Sequence, residues 1–235
     1  MGIATLLYLD DHVASAKWLN TEEKRIIADD ISREDKEKEG LSHLSAAFKT
    51  GRVWLLGLIY FCLASGIYII SFWLPTIIKQ TGVSDPLLIG ALTAVPYVVA
   101  IIAMISVNSN ADRTRERRWH VLVPGLVTAL GLAVSAWFSG NTLLAMIGLV
   151  LATAGASSAQ AAFWSLPAAF LGGAAAAGIA LVNSLGNIAG FVSTFLVGWM
   201  TDLTHSTSAS LYLFAGLLVI GSVLILTIPA RLVNK

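Results

Sequence analysis

The sequence predicts an all-α membrane protein whose six transmembrane helices form one bundle. Three observations carry that expectation. Only 12% of the 235 residues are charged while 56% are hydrophobic, and a soluble domain carries roughly 25% charged residues. The apolar residues are gathered into six runs, each near the roughly 20 residues that a bilayer requires. No Asp, Glu, Lys or Arg lies inside any of the six.

Taken in order, residues 1–9 are apolar but short and lack the basic lead of a secretory signal; they read as the end of a preceding membrane helix. Residues 10–52 form the one long polar segment, with eight Lys/Arg and ten Asp/Glu. Within it, Asn20 followed by Glu23 predicts a helix start, and Ile26, Ile27 and Ile31 give that helix a thin apolar stripe. A solvated linker helix and a helix lying on the membrane surface both fit. The membrane domain, 53–230, divides into spans at about Val53–Ile78, Leu87–Val107, His120–Phe138, Thr142–Leu171, Ala174–Thr201 and Ala209–Ala230. Pro75 and Pro167 lie in the first and fourth, which are longer than a bilayer requires and are therefore expected to tilt, kink or protrude. Gly140-Asn141 and Gly172-Gly173 separate neighbouring spans, and 231–235 is a short tail.

Basic residues fix the expected orientation. Fourteen of the fifteen Lys/Arg fall before the first span, between spans two and three, or at the C-terminus; only Lys79 falls on the other side. The positive-inside rule makes the crowded side cytoplasmic, with both chain ends there. The chain is thus expected to be a multi-pass protein of the inner or plasma membrane, surrounded by lipid.

Several chemistries are excluded or unsupported. The net charge of +1 gives no polyanion signature, so no nucleic-acid partner is expected. Cys62 stands alone, and no metal-spaced His/Cys cluster or phosphate-cradling loop is present, so no metal or cofactor is expected. An intramembrane serine protease needs a Gly-x-Ser-Gly and a His at depth, and Gly155-Ala156-Ser157-Ser158 supplies neither. The protein is not expected to be an enzyme. Proton relays in membranes are built from embedded ionisable groups, and the six spans hold none, so any coupling carboxylate would belong to another segment.

The stretch Gly178–Thr201 is the most informative. Wound at about 100° per residue, it places Asn183, Asn187, Gly190, Thr194 and Thr201 in one arc, flanked by Gly186 and Val197. Leu181, Leu185, Ile188, Val192, Phe195 and Trp199 fall opposite. A membrane helix turns small and polar residues to its bundle and large apolar ones to lipid. Gly186-x-x-x-Gly190 is expected to admit a second backbone. The two carboxamides either bond neighbouring helices or line an aqueous pathway, and the length of the polar face favours the pathway. In the fourth span Thr153, Ser157, Gln160 and Trp164 share a face. In the first, Tyr60, Ala64, Tyr68 and Ser71 do; in the second, Thr93 and Tyr97. Such hydroxyl and amide groups bond a polar solute without burying a charge.

The connection Asn108–His120 reads NSNADRTRERRWH, and its Asp-Arg-x-x-x-Arg-Arg resembles the loop signature of the major facilitator superfamily. KWLNTEEK at 17–24, FWLPTIIK at 72–79, FWSLPAAFLGGAAAAGIALVNSLGNIAGF at 163–191 and VGWMTD at 197–202 narrow the resemblance to the anion:cation symporter family. Its members carry tartrate, phthalate, hydroxyphenylacetate or sugar acids with protons. The resemblance implies one half of that twelve-helix fold, a 3+3 inverted repeat equivalent to helices seven to twelve, with 10–52 as the central cytoplasmic loop. It implies transport of a small organic anion coupled to H+, with an N-terminal half or a second copy as partner. It implies a substrate site containing Asn183 and Trp164, to which the polar faces read above add Gln160, Asn187, Tyr68 and Tyr97, and a gate of Asp112, Arg113, Arg117 and Arg118 that pairs with helix ends. Asn108 and Arg115 stand where the superfamily has glycines. The alternative is a truncated, non-transporting fragment or a six-helix association module.

Overall fold

The computed structural model describes residues 13–16, 18–38, 49–171 and 175–234, and the described residues contain helices and no strand. The expected start at Asn20 is a closed capping box on α1, Thr21–Lys38. The Glu23 amide donates to Asn20 Oδ1 and the Asn20 amide to Glu23 Oε2, both at 2.9 Å. Two otherwise orphaned donors are thereby satisfied. Ile26 and Ile31 on α1 remain exposed.

Six longer elements follow: α2 (Gly51–Gln80), α3 (Pro86–Thr114), α4 (Arg118–Trp137), α5 (Thr142–Phe163), then α7 (Ala175–Thr204) and α8 (Ser208–Leu224), with a short α6 (Ser165–Leu171) between α5 and α7. A 3-10 turn at Ile225–Thr227 and α9 (Ala230–Val233) complete the chain. Six of these helices are long and apolar enough to cross a membrane. At about 1.5 Å per residue, the 30 residues of α2 reach about 45 Å, beyond the ~30 Å hydrocarbon layer, so it tilts or protrudes.

The boundaries differ from the sequence reading in three places, each for a local reason. The fourth span breaks at Trp164, and Pro167 falls in the first turn of α6, where its missing N–H costs no helical bond. The sixth ends before Pro229, which cannot continue a helix. The second runs seven residues further than expected, through Asn108–Thr114. Asp112 and Arg113 therefore ride on the last turn of α3 rather than in a loop. Residues 1–9 and Gly172-Gly173 lie outside the described residues.

The core is apolar and centred on α2, whose Leu56, Ile59, Leu63, Ile70 and Leu74 are buried with Phe163 and Phe214. Helices α5, α7 and α8 pack around α2, α4 lies against α5 and α8, and α3 leans on α5. Small residues set the closest helix approach, between α4 and α5. A methyl group at Gly148 would lie 2.6 Å from the Gly131 carbonyl, and one at Gly155 would lie 2.5 Å from the Pro124 carbonyl. That is the backbone-to-backbone contact that membrane helices use in place of hydrophobic attraction. By contrast α3 buries only Pro96, Ala100 and Ala111.

At the bundle end opposite the arginines, side chains tie the helices together. Gln80 Oε1 accepts from the Thr207 amide (3.2 Å) and hydroxyl (2.7 Å), capping α8 from α2. The Thr81 and Thr142 hydroxyls meet at 2.9 Å.

Candidate substrate site and the arginine end

The glycine pair of α7 works differently from the expectation. What lies against Gly186 and Gly190 is not a second backbone but two tyrosine rings from α2. A methyl at Gly186 would collide with Tyr60, and one at Gly190 would lie 2.9 Å from the Tyr68 ring. The buried side of α7 is Val182, Gly186, Ala189, Gly190, Ser193 and Val197. That side is rotated from the asparagine arc, so Asn183 and Asn187 are exposed at its margin. Ile188, Phe195 and Trp199 are exposed as expected, whereas Leu181 and Leu185 are half-buried. Leu185 sits over Gly57 of α2, a notch that periodicity alone could not reveal.

Around the tyrosines the candidate residues fall into groups. Tyr60 stacks on Phe163 (centroids 4.9 Å apart, 16° between planes) and meets Trp164 edge-on at 4.8 Å. Gln160 Nε2 donates to the Tyr60 hydroxyl at 3.4 Å, while its Oε1 is buried without a hydrogen bond. The Tyr68 hydroxyl donates to Asn187 Oδ1 at 3.1 Å. Asn183, one turn away on α7, makes no side-chain hydrogen bond among the described residues. Five of the six candidates thus lie on α2, at the end of α5 and in the first half of α7. Tyr97 stands apart on α3, in a small cleft with Ala100, Met104 and Ser157. Tyr60, which joins Gln160, Trp164 and Gly186 in one contact set, is the residue the sequence undervalued. Its signal was the tyrosine eight residues before Tyr68.

At the other end, Arg115 closes α3 in the left-handed region (φ 52°, ψ 27°). An ordinary side chain there costs roughly 1–2 kcal/mol, which accounts for glycine being usual at that position. Arg117 Nη1 donates to the Ser165 carbonyl (3.2 Å) and Arg118 Nη2 to the Leu226 carbonyl (2.9 Å). Both arginines therefore reach helix ends rather than an acid. Asp112 and Arg113 are exposed, and Asp112 forms no ion pair among the described residues. The engaged acid is Glu116, which the sequence reading passed over. Glu116 Oε2 accepts from the Trp119 amide (2.8 Å), and Oε1 accepts from Asn234 Nδ2 (2.8 Å). Asn234 Oδ1 in turn accepts the Arg117 amide at 3.0 Å. This ring ties the α3–α4 corner to the C-terminus.

Comparison with known proteins agrees with the architecture. A family model described as Major Facilitator Superfamily matches residues 1–194. A Pseudomonas putida protein named for metabolite transport, NicT, is 41% identical over the whole chain, which covers 54% of that protein. An Agrobacterium vitis protein named for tartrate transport is 39% identical over 96% of the chain and 50% of its own length. An Acinetobacter baumannii quinolone resistance transporter is 33% identical over 99% of the chain and 54% of its own length. The chain spans about half the length of the curated relatives it matches.

Proposed function

Because the chain belongs to the Major Facilitator Superfamily, a family of membrane transport proteins, we propose that it forms one six-helix half of a secondary transporter for a small organic anion. The carrying observation is the open amide face of α7. Asn183 and Asn187 are exposed on a helix otherwise apolar enough to span a bilayer. A carboxamide facing hydrocarbon without partners costs several kcal/mol, so this face suits a water-filled pathway closed on its other side by another half. Tyr68, Gln160 and Trp164 flank it, with Tyr60 as their support. Tyr97, apart from these in its own cleft on α3, is not needed for this reading. The names of relatives, one for tartrate and one for metabolite transport, support a small organic acid.

In this reading the arginine end is cytoplasmic and both termini lie there. Arg117 and Arg118 hold helix ends, and Asp112 and Arg113 remain available to pair with the other half when the carrier faces outward. The exposed ridge of α3, with Val98, Ile101, Ile102 and Ile105 open, suits burial against an N-terminal half or a second copy. Proton coupling would rest on carboxylates outside this chain, since the apolar runs of its six spans hold none.

Uptake of radiolabelled tartrate tests the proposal. The chain alone is expected to give none, and co-expression with a matching N-terminal half is expected to give uptake. Asn183→Ala should then weaken apparent affinity by about tenfold, the loss of one hydrogen bond to a charged group. No uptake in the co-expressed pair, or wild-type affinity in Asn183→Ala, would sink this reading of the α7 face.

A further inference from the structure

The outer half of α2, beyond Tyr68, presents a second group of polar and aromatic residues that the substrate site does not use. At helical spacing, Tyr68, Phe72, Pro75, Thr76 and Lys79 fall within an arc of about 100°. Phe72 is 65% exposed and its ring lies parallel to Tyr68 (15° between planes, centroids 6.4 Å apart). Phe72, Trp73 and Thr76 of α2 and Thr194 of α7 line a cleft of about 320 Å³. Trp73 is held in place over Gly198.

Three features separate this face from ordinary lipid-facing surface. Thr93, Thr128, Thr153, Thr194 and Thr204 all return their hydroxyls to the carbonyl four residues back. The Thr76 hydroxyl makes no hydrogen bond among the described residues. Pro75 has no N–H, so the Ser71 carbonyl lacks its usual helical donor. Lys79 is the one basic residue at this end of the chain; it is exposed and has no ion pair among the described residues. It sits about 10 Å of helix rise beyond Phe72, one turn past Thr76. By helical spacing, Lys79, the Thr76 hydroxyl and Phe72 thus share one face of α2 with Tyr68, and the cleft lies in the middle of that face.

We propose that this face is an outer capture site for an aromatic carboxylate: Lys79 pairs with the carboxylate, and Phe72 and Trp73 hold the ring in the cleft. A cavity of about 150 Å³ takes a benzene ring, so about 320 Å³ holds a ring, its carboxylate and water. Aromatic walls distinguish a ring acid from a compact polyhydroxy acid, which would gain from Thr76 and Thr194 but not from Phe72. The site rests on the transport reading for its direction, outside to inside, but its occupancy is a property of this chain alone.

Binding of 4-fluorobenzoate to the purified chain in neutral-lipid nanodiscs, followed by fluorine NMR line width, tests the site. Line broadening reversed by excess benzoate is expected. Lys79→Gln should weaken apparent affinity about tenfold and remove its salt dependence, while Lys79→Arg keeps both. Phe72→Ala should weaken fluorobenzoate and abolish its advantage over fluoroacetate. Both side chains are exposed, and unchanged melting temperatures check that the bundle is intact. Adding anionic lipid to the nanodisc should compete only weakly; full displacement would make Lys79 a lipid-headgroup anchor and overturn the proposal. Equal binding by wild type and Lys79→Gln, or no binding by wild type, would overturn it as well. Failed uptake by the co-expressed halves would instead remove the transport reading and leave the binding result standing.

Discussion

Adding one methyl group at Gly186 should disturb the bundle far more than its size suggests. The new Cβ would collide with the Tyr60 ring, and that ring cannot simply swing aside. It is stacked on Phe163 at 4.9 Å, held edge-on by Trp164 at 4.8 Å and bonded by Gln160. Overpacking of this kind costs about 1–3 kcal/mol, and loss of the aromatic pairing adds about 0.5–1.5 kcal/mol. Ala returns up to about 1 kcal/mol through its better helix propensity. These ranges net to about 0.5–4.5 kcal/mol, centred on ~2.5 kcal/mol, and the centre corresponds to a fall in melting temperature of roughly 5–10 °C for a chain of this size. Heating the purified chain in nanodiscs while following near-ultraviolet circular dichroism would measure it. Tyr60→Leu empties the notch, so in that background Gly186→Ala should cost nothing or stabilise. Equal costs in the two backgrounds would show that Gly186 and Tyr60 are not coupled and that the notch is not what places the tyrosine.

Three other outcomes follow from the geometry. After replacement of Cys62, a cysteine at Asp85 should react with an impermeant thiol reagent from outside intact cells while one at Thr114 should not, and the reverse pattern would invert the orientation. Glu116→Ala and Asn234→Ala should each lower the melting temperature by a few degrees, with a coupling of about 0.5–3 kcal/mol in the double variant; strict additivity would show that the Glu116–Asn234 bond contributes nothing. Asp112→Asn should reduce uptake by a complete carrier at unchanged protein amount, because an exposed acid with no ion pair among the described residues suits a charge pair across the gate. Normal uptake would leave it as helix surface.

The parts of the fold that were legible in the sequence are those set by one-dimensional chemistry. Hydrocarbon thickness fixes the length of an apolar run, so all six spans were visible, and Asn20 with Glu23 announced the start of α1. Contacts set by shape were not visible. Gly186 and Gly190 looked like a backbone notch because spacing says nothing of what enters it, and Tyr60 and Tyr68 lie well over a hundred residues away. Glycines 131, 148 and 155 carry the actual backbone approach, yet they lack the four-residue repeat that draws attention. Asn108–Thr114 read as loop because polarity ends a span by hydropathy, but not by hydrogen bonding. The helix continues until Arg115 turns left-handed.

The candidate site was legible in its residue types and not in its hierarchy. Asn183 and Asn187 stood out because carboxamides are conspicuous among apolar residues, and both are exposed. What distinguishes them is visible only in three dimensions: Asn187 is already bonded by Tyr68, whereas Asn183 makes no side-chain hydrogen bond among the described residues. Gln160 Oε1, buried and unpartnered, likewise awaits a donor. A neutral site of this kind can orient an anion but cannot neutralise it, and an unpaired buried anion costs several kcal/mol. Charge must therefore come from elsewhere. Within this chain the basic residues are concentrated at the arginine end, and Lys79 is the one exception. If this half belongs to a carrier, its own contribution is shape, hydrogen bonds and an outer cation, and the neutralising charge at depth must come from the opposite wall of the pathway. The same reasoning explains why the chain alone is expected to bind weakly at its outer end and to transport nothing.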